Sequence, residues 1–153
     1  MSDGGKLTAS VVVVTKDRPE LLATLLRSLA GQSLMPDEVL VVDNNSTKSY
    51  DAVFREFEKT LPLRMVVEAA PGIPNARNRG IRETTGDIIL FTDDDCAADP
   101  RWVEEMVKPF YRNPHIGVVG GEIDSVQKAG GLVEEFCVSE TLMHMGRREE
   151  GAE

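Results

Sequence analysis

Three consecutive carboxylates, Asp93, Asp94 and Asp95, follow Thr92 at the end of the short apolar run Ile88–Phe91. A run that brief, preceded by Gly86 and Asp87, reads as a buried parallel strand, which delivers the three acids to one edge of a sheet. Adjacent carboxylates repel one another unless a positive charge stands among them. A divalent cation with hard oxygen ligands suits that position. Asp93 and Asp95, two apart, point the same way on an extended backbone, so that one could hold a metal and the other a sugar hydroxyl. The competing reading is a solvated acidic turn, with Asp99 capping the next helix and Pro100 at its first position.

Other polar clusters also follow apolar runs. Thr15-Lys16-Asp17-Arg18 comes after Ser10–Val14, Asp43-Asn44-Asn45-Ser46 after Val39–Val42, and Pro71-Gly72-Ile73-Pro74-Asn75 shortly after Leu63–Val67. A carboxylate at Asp43 can accept hydrogen bonds from a base edge or a sugar hydroxyl. The two asparagines read more simply as a turn, with Asn45 or Ser46 capping the next helix. Arg77, Asn78 and Arg79 lie in the first turns of a helix opened by Pro74, where unpaired N–H groups suit phosphate oxygens. An arginine adds a planar fork of donors for a diphosphate. Arg77 is the expected phosphate contact, whereas Arg79 and Arg82 are expected on the solvated face.

The elements that would position these clusters alternate along the chain. The expected strands are Ser10–Val14, Val39–Val42, Leu63–Val67, Ile88–Phe91 and Ile116–Val119. The helices between them open at Pro19, carry Tyr50, Val53, Phe54 and Phe57, open at Pro74, and carry Trp102, Met106 and Phe110 on a core-facing stripe. Leu132–Met145 reads as a last helix. Alternation of this kind predicts an α/β domain with a mainly parallel sheet flanked by helices, and places every one of the four clusters on the same edge, where open α/β sheets bind ligands.

The expected organisation is a flexible tail over residues 1–8, one domain over 9–147 and a frayed acidic tail over 148–153. With 26 acidic and 17 basic residues the formal charge is −9, which argues against a nucleic-acid binder. The start of the chain has no secretory pattern and no apolar run reaches membrane-spanning length, so no transmembrane segment and a cytoplasmic location are expected. Cys96 and Cys137 follow no metal-ligand spacing and are expected as reduced thiols, the second on a helix. His115 and His144 have no paired ligand and read as structural or surface residues. Neither G-x-G-x-x-G nor the P-loop pattern occurs.

Four blocks in order, VVVVTKDRPELLATLLRSL, VLVVDNNS, PGIPNARNRG and FTDDDC, resemble the family 2 glycosyltransferases over roughly Ser10–Gly121. The resemblance implies a Rossmann-like nucleotide-sugar-binding domain of the GT-A type. It also implies inverting transfer from a nucleotide-diphosphate sugar to an acceptor hydroxyl on a saccharide, lipid or small molecule, with Mn²⁺ or Mg²⁺. By position it puts Thr15 and Asp17 against the nucleotide base, Asp43 on the base or its ribose, and Arg77 and Asn78 near the nucleotide. Asp93–Asp95 match the DxD element, with Asp95 as metal ligand, Asp93 as its companion, and Asp93 or Asp94 nearer the ribose. Lys16 stands where an aromatic is frequent, and Asn44-Asn45 replace an acidic–glycine pair.

The family's catalytic base, a carboxylate well beyond the DxD, has no convincing counterpart among Glu122, Asp124, Glu134, Glu135 and Glu140. It is expected beyond Glu153, and the chain reads as the donor-binding portion of a longer transferase. Two alternatives stand beside this reading: a module that binds a nucleotide sugar without turning it over, and an aspartate-based phosphotransferase, although Ala97 occupies the place where Thr or Val is usual in that class.

Overall fold

The computed structural model describes residues 6–128 and 131–143. Its main sheet has four parallel strands in the order β3-β2-β1-β4, formed by β1 (Ala9–Thr15), β2 (Glu38–Asp43), β3 (Leu63–Val67) and β4 (Ile88–Asp93). Helices α1 (Pro19–Ala30), α2 (Asp51–Phe57) and α3 (Ile73–Glu83) make the crossovers. After β4 come a three-residue strand β5 (Cys96–Ala98), helix α4 (Trp102–Arg112) and two long strands, β6 (Val118–Lys128) and β7 (Gly131–Met143).

β-Branched runs make the central strands apolar on both faces, and helices cover both. On one face Leu22, Leu25, Leu26 and Leu29 of α1, with Trp102, Val103 and Val107 of α4, pack on Val11, Val13, Val39, Val41, Ile88 and Leu90. Full burial of each leucine contributes about 2 kcal/mol relative to exposure. Pro19 opens α1 at a position whose N–H would have no helical partner.

The other face carries α3 over Val12, Leu40 and Val42. This helix approaches the sheet closely because its inward positions are Ala76 and Gly80, one turn apart and both buried. A Cβ at Gly80 would stand 2.5 Å from Val12 Cγ1, so only glycine permits this separation. That close seat fixes how far Arg77, on the same helix, reaches over the end of the sheet.

Several expectations give way. The fifth strand begins at Val118 rather than Ile116 and joins a separate sheet, ordered β5-β7-β6, with β6 and β7 antiparallel. Leu132–Met145, expected as a helix, is strand β7 as far as Met143, so Cys137 lies on a strand. Its apolar spacing suits either structure, and pairing with β6, from Val118↔Met143 to Lys128↔Gly131, decides for the strand. Pro100 does not start α4. The Asp99 carboxylate accepts the Arg101 N–H and the helix begins at Trp102. Leu7 and Thr8, placed in the tail by sequence, are tied down: the Leu7 N–H donates to the Tyr111 hydroxyl, and the Thr8 N–H and hydroxyl both donate to Asp87. Gly130, His144 and Glu149–Glu153 lie outside the described residues. Among the described residues, no helix is long and apolar enough to cross a membrane.

Candidate functional site at the carboxyl edge of the sheet

Parallel register brings the strand ends level: Thr15 pairs with Asp43, Val14 with Asp93 and Asp43 with Val67. The loops that follow therefore meet on one rim. They enclose an open cavity of about 520 Å³ lined by Val14 and Thr15 at the end of β1, Lys16 and Arg18 after it, Asn44 after β2, Gly72, Ile73 and Arg77 around the start of α3, Asp93 at the end of β4, and Asp94 and Asp95 after it.

The three acids are not equivalent. Asp93 and Asp95 keep 59% and 46% of their side chains exposed, whereas Asp94 keeps 6%. Asp94 turns inward and accepts the Thr15 hydroxyl at 2.7 Å and Arg18 Nη1 at 3.2 Å. Burial pushes its carboxyl above the usual range and the neighbouring Asp95 charge adds to this, while Thr15 and Arg18 pull it back. Asp95 pairs with the same Arg18 nitrogen at 3.4 Å, and Asp93 pairs with Arg77 Nη2 at 3.2 Å. Three carboxylates thus share the cavity lining with Lys16, Arg18 and Arg77. The near balance lets an anionic ligand enter without net repulsion.

The loops are braced from behind. Asp17, in the left-handed region at φ 55°, accepts the N–H groups of Thr47 and Lys48 and the Thr47 hydroxyl. The Lys48 and Thr47 amides hold its carboxyl below the usual range. Asp43 is buried and accepts the Ser46 N–H at 2.9 Å. The Tyr50 hydroxyl lies 3.1 Å from both Thr15 Oγ1 and Ser46 Oγ, joining the first two loops. Asn44 fastens the third: its amide donates to the carbonyls of Glu68 and Ala70, and its oxygen accepts the Gly72 N–H. Gly72, at φ 109°, then turns the chain into α3, a conformation that glycine adopts without strain.

Of the residues singled out from sequence, Thr15, Arg77, Asp93, Asp94 and Asp95 line the cavity together. Asp17, Asp43 and Asn78 do not. The first two brace loops, and Asn78 is exposed on α3. Neither Asn45 nor Ser46 caps α2, whose preceding residue is Tyr50 and which has no side-chain cap; Asn44 is a buried clamp. Arg79 pairs with Glu83 and Arg82 with Glu68, both away from the cavity lining. Sequence reasoning passed over Lys16, Arg18, Asn44, Gly72 and Ile73 as contacts. Their signal was membership of the same converging clusters, which names a loop but not the side chain that turns inward.

The donor set suits a hard divalent cation shared with a ligand. Such an ion is commonly held by one or two carboxylates plus substrate phosphates, and Asp93 and Asp95 are two exposed carboxylates beside a cavity of sufficient size. Among the described residues no group of three or more His, Cys, Asp or Glu side chains could hold an ion unaided.

A parallel sheet flanked by helices, with its cavity at the strand ends, is the GT-A fold of solved glycosyltransferases. The mannosyltransferase PcManGT from Pyrobaculum calidifontis, in complex with GDP-Man and Mn²⁺, superposes with a TM-score of 0.63 at 27% identity, over 74% of this chain and 35% of that one. S. aureus TarS in complex with UDP gives 0.64 at 23% identity, over 76% and 34%. The sequence profile of glycosyl transferase family 2 matches residues 10–133, and the chain belongs to that family.

Its relatives include the O-antigen biosynthesis protein RfbC of Myxococcus xanthus, 33% identical over 136 residues, 84% of this chain and 11% of that protein. Glycosyltransferase AglE of Haloferax volcanii is 30% identical over 140 residues, 89% and 46%. Validoxylamine A glucosyltransferase of Streptomyces hygroscopicus subsp. limoneus is 33% identical over 158 residues, 90% and 32%. The chain thus spans less than half the length of these relatives.

Proposed function

We propose that this domain binds the nucleoside diphosphate of a sugar donor in the rim cavity, with a divalent cation, for transfer of the sugar to an acceptor hydroxyl with inversion. One observation carries the reading: Asp93 and Asp95 line a single cavity side by side with Arg77 and Arg18, their ion-pair partners, so that carboxylates for a metal and guanidinium forks for a diphosphate stand together. Support comes from similar structures solved with UDP, with UDP-GlcNAc, and with GDP-Man and Mn²⁺.

In this reading Asp95 and Asp93 hold Mn²⁺ or Mg²⁺, which when bound neutralises charge on the departing diphosphate. Arg77 presents its planar fork to the phosphates from the first turns of α3, whose N-terminal end faces the cavity. Ile73, with 56% exposure, offers an apolar surface at the same end. Thr15 and Arg18 hold Asp94 inward, which keeps the acidic loop in one conformation. Asp17 and Asp43 serve the site by bracing its loops. The general base for the acceptor is assigned to none of the three cavity aspartates. Family membership speaks against the phosphoaspartate alternative.

Calorimetry with UDP, GDP and their sugar derivatives, with and without Mn²⁺, tests the proposal. Metal-dependent nucleotide binding that is lost in Asp95→Asn and kept in Arg82→Ala supports it. Binding that is indifferent to both the metal and Asp95 overturns it.

A further inference from the structure

Arg18 stands where a cation would have to sit. A single guanidinium nitrogen, Nη1, lies 3.2 Å from Asp94 Oδ1 and 3.4 Å from Asp95 Oδ2, so one positive charge is shared by two neighbouring carboxylates. Its root is fixed: the Arg18 N–H donates to the Tyr50 hydroxyl, and Pro19 starts α1 immediately afterwards. Its head is not confined, with 52% of the side chain exposed at the cavity mouth. On the other side of the acidic loop Arg77 does the same for Asp93.

We infer that Arg18 is a tethered occupant of the cation position, so that the cavity takes a divalent ion together with a nucleoside diphosphate and discriminates against the free ion. This deepens, and rests on, the donor-binding reading above. A divalent ion arriving alone must approach Asp95 against the adjacent guanidinium charge, or displace it into water. A diphosphate changes the balance because its oxygens offer the guanidinium a bidentate partner at the same mouth. Exposed ion pairs such as Arg18–Asp95 are weak and exchange readily. Once Arg18 has moved to a phosphate, Asp95 is released to the ion, and the ion links it to the same diphosphate. Asp94 gives up its Arg18 contact in the exchange but stays facing inward, held by burial and the Thr15 hydroxyl. Metal and nucleotide therefore each raise the other's affinity by the same factor, as linkage requires.

The test measures Mn²⁺ binding to the full 153-residue chain by the electron paramagnetic resonance signal of the free ion, alone and with UDP or GDP. In the wild type, Mn²⁺ alone binds weakly and the nucleotide tightens it. In Arg18→Gln, Mn²⁺ alone binds about fivefold more tightly, the size expected for removing one exposed charge pair, and the gain from nucleotide shrinks by a similar factor. Arg18→Lys keeps the charge, so Mn²⁺ alone binds as weakly as in the wild type, which separates charge from any change in folding, while the gain from nucleotide shrinks with the bidentate fork. Mn²⁺ affinity in Arg18→Gln no higher than in the wild type overturns the inference, as does wild-type binding of metal and nucleotide without coupling. The first result leaves the donor reading intact, whereas the second also removes the metal dependence that the donor reading requires. A wild-type chain that binds no nucleoside diphosphate with or without Mn²⁺ overturns both.

Discussion

The hydroxyl of Thr15 donates a 2.7 Å hydrogen bond to the carboxylate of Asp94, joining the end of the first strand to an acidic loop 79 residues later. The same hydroxyl lies 3.1 Å from that of Tyr50, which also reaches Ser46. Three loops are thereby held around one buried carboxylate, and the cavity depends on their staying together.

Removing that hydroxyl should loosen the rim. Thr15→Val keeps the shape of the side chain but leaves Asp94 with a lost donor, at a cost of about 1–3 kcal/mol for a buried, ionised acceptor. Urea denaturation should show this loss. The Asp94 carboxyl should also move further up, since the Thr15 bond is one of the contacts that lower it.

The pH dependence of stability should carry the mark of Asp94. Its folded-state carboxyl lies above 3.8, chiefly through burial, so the folded chain binds its proton more tightly than the unfolded chain does. That contribution is fully present below the unfolded value and is lost as pH rises through the raised folded value. Asp94→Asn cannot ionise, so the melting temperature of the wild type relative to this variant should fall as pH rises from 3.8 through the raised folded value. Asp17 has the opposite sign. The Lys48 and Thr47 amides hold it below 3.8, so its contribution is present above that value and is lost as pH falls through the lowered one. Asp17→Ala should flatten the acid side of the profile.

Gly80→Ala should separate α3 from the sheet. The added methyl would meet Val12 Cγ1 at 2.5 Å, and overpacking of this kind costs about 1–3 kcal/mol. Because Arg77 rides on the same helix, nucleotide affinity measured by calorimetry should fall although Gly80 is outside the cavity lining. An unchanged affinity beside a clear loss of stability would show that the seat of α3 does not govern Arg77.

Asn44→Ala should release the loop from Glu68 to Gly72, since it removes both carbonyl contacts and the acceptor for the Gly72 N–H. Ala70 and Gly72 are exposed, so water can take up their freed groups, and the cost is about 0.5–1.5 kcal/mol per lost bond. Hydrogen exchange at the Gly72 amide should accelerate more than exchange in the central strands. Uniform acceleration would point instead to global destabilisation.

Much of this arrangement was legible in the chain. Short apolar runs between polar clusters marked the four parallel strands, because a strand covered on both faces needs no alternation. Strand β3 spans Leu63–Val67, the range its apolar residues suggested. Asp93 and Asp95 are both exposed in the cavity while Asp94 turns inward, as expected, but β4 ends at Asp93 and Asp94–Asp95 form a turn, so the pleat of an extended strand is not what arranges them. The stretch from Gly131 to Met143 was misread, because its apolar spacing fits a helix as well as a strand and only the distant β6 decides between them. The three residues of β5 were too few to give a periodic signal.

The sequence by itself determined that four polar loops follow apolar strands and that three carboxylates end the fourth, because hydrophobic patterning and residue type are local properties. The tertiary structure alone decided which side chains fill the cavity and which brace it. Thr15 and Arg18 reach Asp94 across more than seventy positions, whereas Asp17 turns to Thr47 and Lys48. Such pairings follow from strand register and from how closely α3 sits on β1, and these are set by packing between segments far apart in the chain.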